Sequence, residues 1–441
     1  MKKLLLIPFI MLGMLKLSAS DGIPQMEDGQ IEAALESENV VSVMHFGAKG
    51  DGKTDDTQAF QKALDSFGSR GGTVYAPDAS YLIAGTLNIP QGVTLKGSFE
   101  SVPSHNGLRD KGLPKPGEMG TTFLITGNRG KDIEGIPAIT INTNSTLRGV
   151  LMYWPDQAID KVPSPYPWGV AMKGKNPALL DVEMLNPYNA IDASHNERAL
   201  IRNISGQPLR RGIYVDAIYD IGRIENVHFN PWWSMKPELY RWQMEHGEAF
   251  IFERTDWHYV INTFCYGYNV GYKFGASQGS VGACNGNFLG IGADACHTAV
   301  KVEQSANYGL LITNGEFVAM NGSDPTMVEV TAANQGNVRF SNSAFWGPCN
   351  QIAKINGNGN VSFSDCIFVE WDKVATGRSA IQVNGGSVSV RGCDFMHDSP
   401  QVKIEKAVER VIVTENTIEG KVRIENNAKR SYINGNLGTE E

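Results

Sequence analysis

A chain of 441 residues with 41% hydrophobic residues and a formal net charge of −8 is too apolar to be disordered and too acidic to suit nucleic acid, whose phosphates call for clustered Lys and Arg. Its length exceeds an average domain, but a solenoid grows simply by adding turns. Six cysteines, none in a C-x-x-C pair with zinc spacing, exclude a disulfide scaffold and a zinc ribbon; Cys366 and Cys393 fall at similar places in neighbouring repeats and are expected to be buried thiols.

The chain opens on Met1-Lys2-Lys3, an apolar run to Leu15, and Ser18-Ala19-Ser20. This reads as a secretory signal peptide over residues 1–20, not a membrane span, because the run is short and Lys16 closes it. The mature chain is expected to start near Asp21, secreted or periplasmic and without membrane insertion. Residues 21–40 are polar and aperiodic, a linker or N-terminal extension.

Val41 to Phe46 alternate like a strand, and Gly47-Ala48-Lys49-Gly50-Asp51-Gly52 follow. Thr54 or Asp55 can cap a helix whose apolar face is Ala59, Phe60, Ala63, Leu64 and Phe67. Gly71-Gly72 ends it, and Thr73-Val74-Tyr75 begins a strand. The run Phe46–Gly52, with Thr54-Asp55-Asp56-Thr57, Ala59-Phe60 and Ala63-Leu64, resembles the opening of the pectate-lyase-like (rhamnogalacturonase/epimerase-like) superfamily. The resemblance implies a right-handed parallel β-helix with a short N-terminal capping helix. It says little about reaction, since members include hydrolases, lyases, epimerases and phage tailspikes. On this reading the acids of the motif are structural.

Downstream, an apolar-x-apolar motif recurs from Asn337, Asn360, Ser387 and Arg410, spaced by 23, 27 and 23 residues. Strands at such intervals, with Asn and Gly at the corners and no helices between, predict a parallel β-helix over residues 41–441. A second strand per turn aligns from Ala138 to Val383, with Ala138, Gly169, Ala190, Gly212, Ala249, Gly271, Ala299 and Met327 among its first residues. The second and fourth residues of each should stack inside, and the third and fifth should point out. A one-residue slip at the Asp192 turn would reverse that.

Two turns are long: residues 153–168 and 230–248, which together hold five of the eight Trp. Long loops on a regular scaffold are where function concentrates. In the outward rows Asp192, Asp216 and Glu253 fall on successive turns. Asp216 and Glu253 share a column, about 5 Å apart by ladder geometry; Asp192 and Asp216 are roughly 8 Å apart. Glycosidases use an acid and a base or nucleophile at such separations, and close like charges raise one pKa. Glu248 beside the same strand is a further catalytic candidate; Asp256 and Asp156 are additional carboxylates near it.

Arg210, Arg211, Arg254 and Lys273, with Arg223, gather near these turns, either as a clamp for a sugar carboxylate or sulfate or as an ion-pair network that lets the acids coexist. Trp154, Trp168, Trp232, Trp233 and Trp257 could stack on sugar rings or cap the core. His228 is a binding candidate, more often structural in such a setting. Asn287 and Asp294 could complete the groove.

These features lead to a secreted glycoside hydrolase acting on an acidic or sulfated polysaccharide, with no cofactor. A polysaccharide lyase is the alternative; it would use Tyr214, His195, His228 or Arg211 as proton-transfer groups and could take Ca2+. A non-catalytic carbohydrate-binding β-helix is the third reading. The partner in each case is a polysaccharide, and homo-oligomers occur in the superfamily.

Overall fold

The computed structural model describes residues 39–105, 109–111 and 119–441; the expected signal peptide and all but the end of the 21–40 extension lie outside them. From Val41 onward the chain winds as a right-handed parallel β-helix with three strand segments per coil. One face is a 13-stranded parallel sheet from Leu87–Ile89 to Ile424–Asn426, each strand paired with the next coil's strand. The other two faces form a continuous 25-stranded sheet folded at a corner. Within Ala178–Met184, for example, Leu179 pairs with Leu147 and Ile201 on the second face, while Val182 pairs with Val150 and Ile204 on the third.

The corner has a simple cause. Asp181, Asn203, Asn226, Asn262, Asn314 and Asn342 occupy it in successive coils, with φ between +45° and +56°. Short Asx side chains tolerate this left-handed conformation, which most residues resist. Their side chains also form a ladder: Asn226 Nδ2 donates to Asn203 Oδ1 at 2.8 Å, and Asn203 Nδ2 to Asp181 Oδ1 at 2.7 Å. Gly290 and Gly392 take the same place, at φ +62° and +58°. Asn226→Ala should therefore cost about 1–2 kcal/mol, and Asn226→Gly less, as read from denaturant midpoints.

Inside, aromatic rings stack along the axis. Phe250 lies 5.3 Å from Phe229 and 4.7 Å from Tyr272, centroid to centroid. Phe340 stacks on Phe363 at 5.1 Å. The six cysteines are buried and free.

The N-terminal end of this core is closed by the helix Thr57–Asp65, which buries Phe60, Ala63 and Leu64. The ring of Phe60 meets Tyr81 and Phe123 edge-on. Asp55 Oδ1 accepts the Thr57 amide at 3.0 Å. Asp56 accepts the amides of Lys49 and Gly50, and Asp51 those of Lys53 and Thr54. These acids are structural: they satisfy the free N–H groups of a Gly-rich turn and a helix start.

The register of the first face follows the sequence pattern. Asp192 pairs with Ala171 and Tyr214, Tyr214 with Ile251, and Ile251 with Lys273, so the Asp192 turn has not slipped. On the second face Asn337, Asn360, Ser387 and Arg410 are direct partners. One detail departs from simple alternation: Ala249 is fully buried beside inward Phe250, and a Cβ on Gly212 would meet the Phe229 ring at 2.8 Å. The residues before them, Arg211 and Glu248, thereby gain the outer surface and form ion pairs there.

Candidate functional site

Asp216 and Glu253 end adjacent strands of the first face, Arg211–Val215 and Glu248–Phe252, and the Glu253 amide donates to the Val215 carbonyl. One hydroxyl joins their carboxyls: Tyr214 Oη is 2.8 Å from Glu253 Oε2 and 3.3 Å from Asp216 Oδ2. Tyr214 is itself backed by Trp168, stacked at 6.0 Å and 18°.

The two acids have opposite environments. Asp216 is only 2% exposed. Its Oδ1 accepts the amides of Ala217 and Arg254, and its Oδ2 accepts Ser277 Oγ at 2.8 Å as well as the Tyr214 hydroxyl. Three donors are committed to this carboxylate, and the Tyr214 hydroxyl is shared between it and Glu253. Ser277 arrives on a small hairpin: its amide donates to the Gly282 carbonyl, and Ala276 bridges Ala283. Asp216, expected to point outward, does so but is roofed by this hairpin.

Glu253 is half-buried. Burial raises its pKa above the usual carboxylate value; the Tyr214 hydrogen bond opposes that, and the nearby Asp216 charge adds to it. Burial, reinforced by Glu253 and Asp216, also drives the Tyr214 phenol well above its ordinary pKa. A carboxyl of raised pKa beside a second carboxyl is an arrangement suited to a general acid.

The other candidates are differently placed. Burial opposes ionisation of Glu248, but Lys273 and Arg210, each at 3.2 Å, hold its pKa below the usual value. Glu248 is thus the ion-pair partner of two cations. Asp192 pairs with Lys173 at 2.7 Å and accepts the Ser194 amide. Arg211 binds Asp132 at 2.9 Å and Asn189 at 3.0 Å. Arg254 donates to the Ile218 carbonyl and lies 4.0 Å over the Tyr219 ring. Arg210, Arg211, Lys173 and Lys273 thus each meet an acid on this face, while Arg254 is engaged by a carbonyl and a tyrosine ring.

Trp154 and Trp233 are 1% and 2% exposed, which corrects their assignment to sugar stacking. Trp154 fills the core, and Trp233 joins Leu151, Leu185, Leu209 and Leu239 in a second apolar cluster. That cluster includes Leu239 of the helix Pro237–His246, so the 230–248 insertion carries its own small core. His228 stands on the third face, opposite Ser205 and Phe264, with its ring 4.8 Å from that of Trp232; neither belongs with the acid pair. Asp156 is exposed on the first insertion, and His195 is exposed on the turn where its amide donates to the Asp216 carbonyl. Trp257 is 60% exposed. It lines a cleft on the second face with Asp256 and Asn287, whereas Asp294 is on the third face opposite Tyr266.

Ser277, Tyr219 and Asp132 complete the site and were not evident as site residues from the sequence. The run Gly275-Ala276-Ser277-Gln278-Gly279-Ser280 signals a loop, but not the direction in which it folds. Among the described residues no group of three or more His, Cys, Asp or Glu is placed to hold a metal, and no helix is long and apolar enough to cross a membrane.

Residues 40–149 match the family model described as rhamnogalacturonase A/epimerase, pectate lyase-like. Alginate lyase 7 of Azotobacter vinelandii is 56% identical over 45 residues, which are 10% of this chain and 5% of that protein. The chain therefore spans only a small fraction of the curated relatives it matches. Among solved structures, the N-terminal fragment of bacteriophage Phi29 gene product 12 is similar over 93% of this chain and 73% of that one, with a TM-score of 0.64 and 14% identity. A tailspike protein of E. coli bacteriophage HK620 is similar over 91% and 81%, with a TM-score of 0.60 and 10% identity. Opening motif, coil register and structural neighbours agree: residues 40–149 are similar to the pectate-lyase-like family, and the chain has the fold of a right-handed parallel β-helix.

Proposed function

We propose that this protein is an extracellular glycoside hydrolase that cleaves an acidic polysaccharide on the first face of the solenoid. The observation that carries the reading is the Tyr214 hydroxyl shared between a buried Asp216 and a half-buried Glu253 of raised pKa. Glu253 gives its proton to the departing glycosidic oxygen, water adds to the anomeric carbon, and the proton that this water loses returns to Glu253. Asp216, roofed by the Ser277 hairpin, acts through the Tyr214 hydroxyl, which holds Glu253 in position. The relatives support a carbohydrate ligand: one is named an alginate lyase, and the HK620 tailspike has been solved with a pentasaccharide.

Incubating the purified protein with a panel of plant and algal polysaccharides tests this. Hydrolysis predicts new reducing ends without ultraviolet absorbance from an unsaturated uronate. Absorbance rising in step with the reducing ends would make the protein a lyase, with Tyr214 in proton transfer. Binding without any new ends would make it a carbohydrate-binding β-helix.

A further inference from the structure

The second face carries features that the acid pair does not use. Trp257 opens the strand that crosses this face, and it holds φ +51°, a strained conformation for a bulky side chain. Its amide is pinned by Asn285 Oδ1 at 2.9 Å, and its indole is left exposed. Two coils on, Tyr308 is 75% exposed. Between them lies a cleft of about 410 Å3, with Asp256 and Asn287 at its wall. Flat aromatic faces with carboxylate and amide groups between them match a sugar ring, which is apolar on its faces and hydroxylated at its rim.

The outward column from this cleft runs Tyr259, Asn287, Leu311, Arg339, Ser362 and Ser389, each opposite the next. It leads into a shallow depression of about 440 Å3 lined by Arg339, Arg391 and Arg410 over a floor of Ser362, Ser364 and Ser389. The contrast with the first face is sharp. There Arg210, Arg211, Lys173 and Lys273 each meet an acid. Here, among the described residues, the three arginines form no ion pair, and Arg410 has only a 3.2 Å bond to Ser387 Oγ. Three exposed guanidinium groups without counter-ions, on a chain of net charge −8, form a binding surface for oxyanions. From the Trp257 coil to the Arg410 coil is six ladder steps, about 29 Å, the reach of an extended oligosaccharide and not of a lone small anion.

We propose that the second face is a separate binding track for an anionic polysaccharide, with sugar rings seated between Trp257 and Tyr308 and their carboxylate or sulfate groups on Arg339, Arg391 and Arg410. The track does not depend on the acid pair and would hold a chain whether or not Glu253 acts on it.

Affinity electrophoresis of the full chain in gels containing polygalacturonate, dextran sulfate or neutral dextran tests the track. The wild-type protein should be retarded by one or both charged polymers and not by dextran; the two charged gels distinguish carboxylate from sulfate. The combined variant Arg339→Ala, Arg391→Ala, Arg410→Ala should bind the retarding polymer at least about tenfold more weakly and lose much of the salt dependence. Trp257→Ala should weaken binding at high salt, where charge is screened. Glu253→Gln should bind as wild type, which separates failure of the track from failure of the hydrolase reading. Wild-type retardation of the triple-arginine variant at every salt concentration would overturn the proposal. So would a triple-arginine variant that sediments at a different oligomeric state with unchanged glycan binding, because the face would then be a contact between copies.

Discussion

Glu253→Gln should lower kcat/KM for polysaccharide cleavage by about 10²–10⁴-fold, the usual contribution of a general acid, without lowering the melting temperature at neutral pH. The second half of that expectation follows from linkage. Glu253 has a raised pKa in the folded protein, so the folded state binds its proton more tightly than the unfolded chain does. The stability this contributes is full below the unfolded pKa and is lost as pH rises through the folded pKa. At neutral pH the ionised side chain is therefore a cost to folding, and the neutral Gln removes it. A variant that is inactive and no less stable would point to a catalytic role; one that loses both would point to a structural role.

The pH profile gives an independent check. A general acid must be protonated, so kcat/KM should fall as pH rises through the Glu253 pKa. Burial is the main cause of the elevation, and the Tyr214 hydrogen bond works against it. Tyr214→Phe should therefore move the descending limb to higher pH while lowering the maximum, since the hydroxyl that spaces the two acids is gone. A limb that stays in place in Tyr214→Phe would assign the titration to another group.

Phe252→Ala should destabilise the protein by about 3–5 kcal/mol, the cost of removing a large buried ring and leaving a cavity. Phe252 is fully buried. Its ring is 5.7 Å from that of Phe274, 5.3 Å from Phe288 and 6.0 Å from His258, so it joins three successive strands. Val215 is its register partner in the preceding coil, so coils on both sides meet at this position. Phe252 also immediately precedes Glu253, so activity should fall with stability. Tyr308→Ala, at an exposed aromatic of the second face, should leave stability within about 0.5 kcal/mol of wild type. The comparison is made on denaturant midpoints at fixed temperature.

The opening coil, the capping helix and the register of both long faces were legible in the sequence, because each rests on local rules. A helix face repeats every 3.6 residues and a strand alternates every two. Coils that stack on one another must repeat apolar residues at the same place in each turn. That logic placed Asp216 and Glu253 in one column. It could not show that one tyrosine hydroxyl would serve both carboxylates, because side-chain direction beyond Cβ depends on what packs nearby.

The insertions escaped the same logic. Trp154 and Trp233 look exposed in aperiodic loops, yet both are buried, one in the main core and one in a small cluster that Leu239 of the 230–248 insertion helps to build. Arg211 and Asp132 are 79 residues apart in the chain and 2.9 Å apart in space; no spacing rule links them. The hairpin that lays Ser277 over Asp216 comes from a run of small residues whose path is fixed only by the coils beneath it.

For this protein the sequence alone determined the scaffold and the column in which the acids stand, because parallel coils translate a repeat in the chain directly into a stack in space. The tertiary structure decided which acid is roofed, which has its pKa raised by burial, and which arginines remain unpaired. Those properties depend on burial and on partners supplied by distant loops, and the repeat pattern does not encode them.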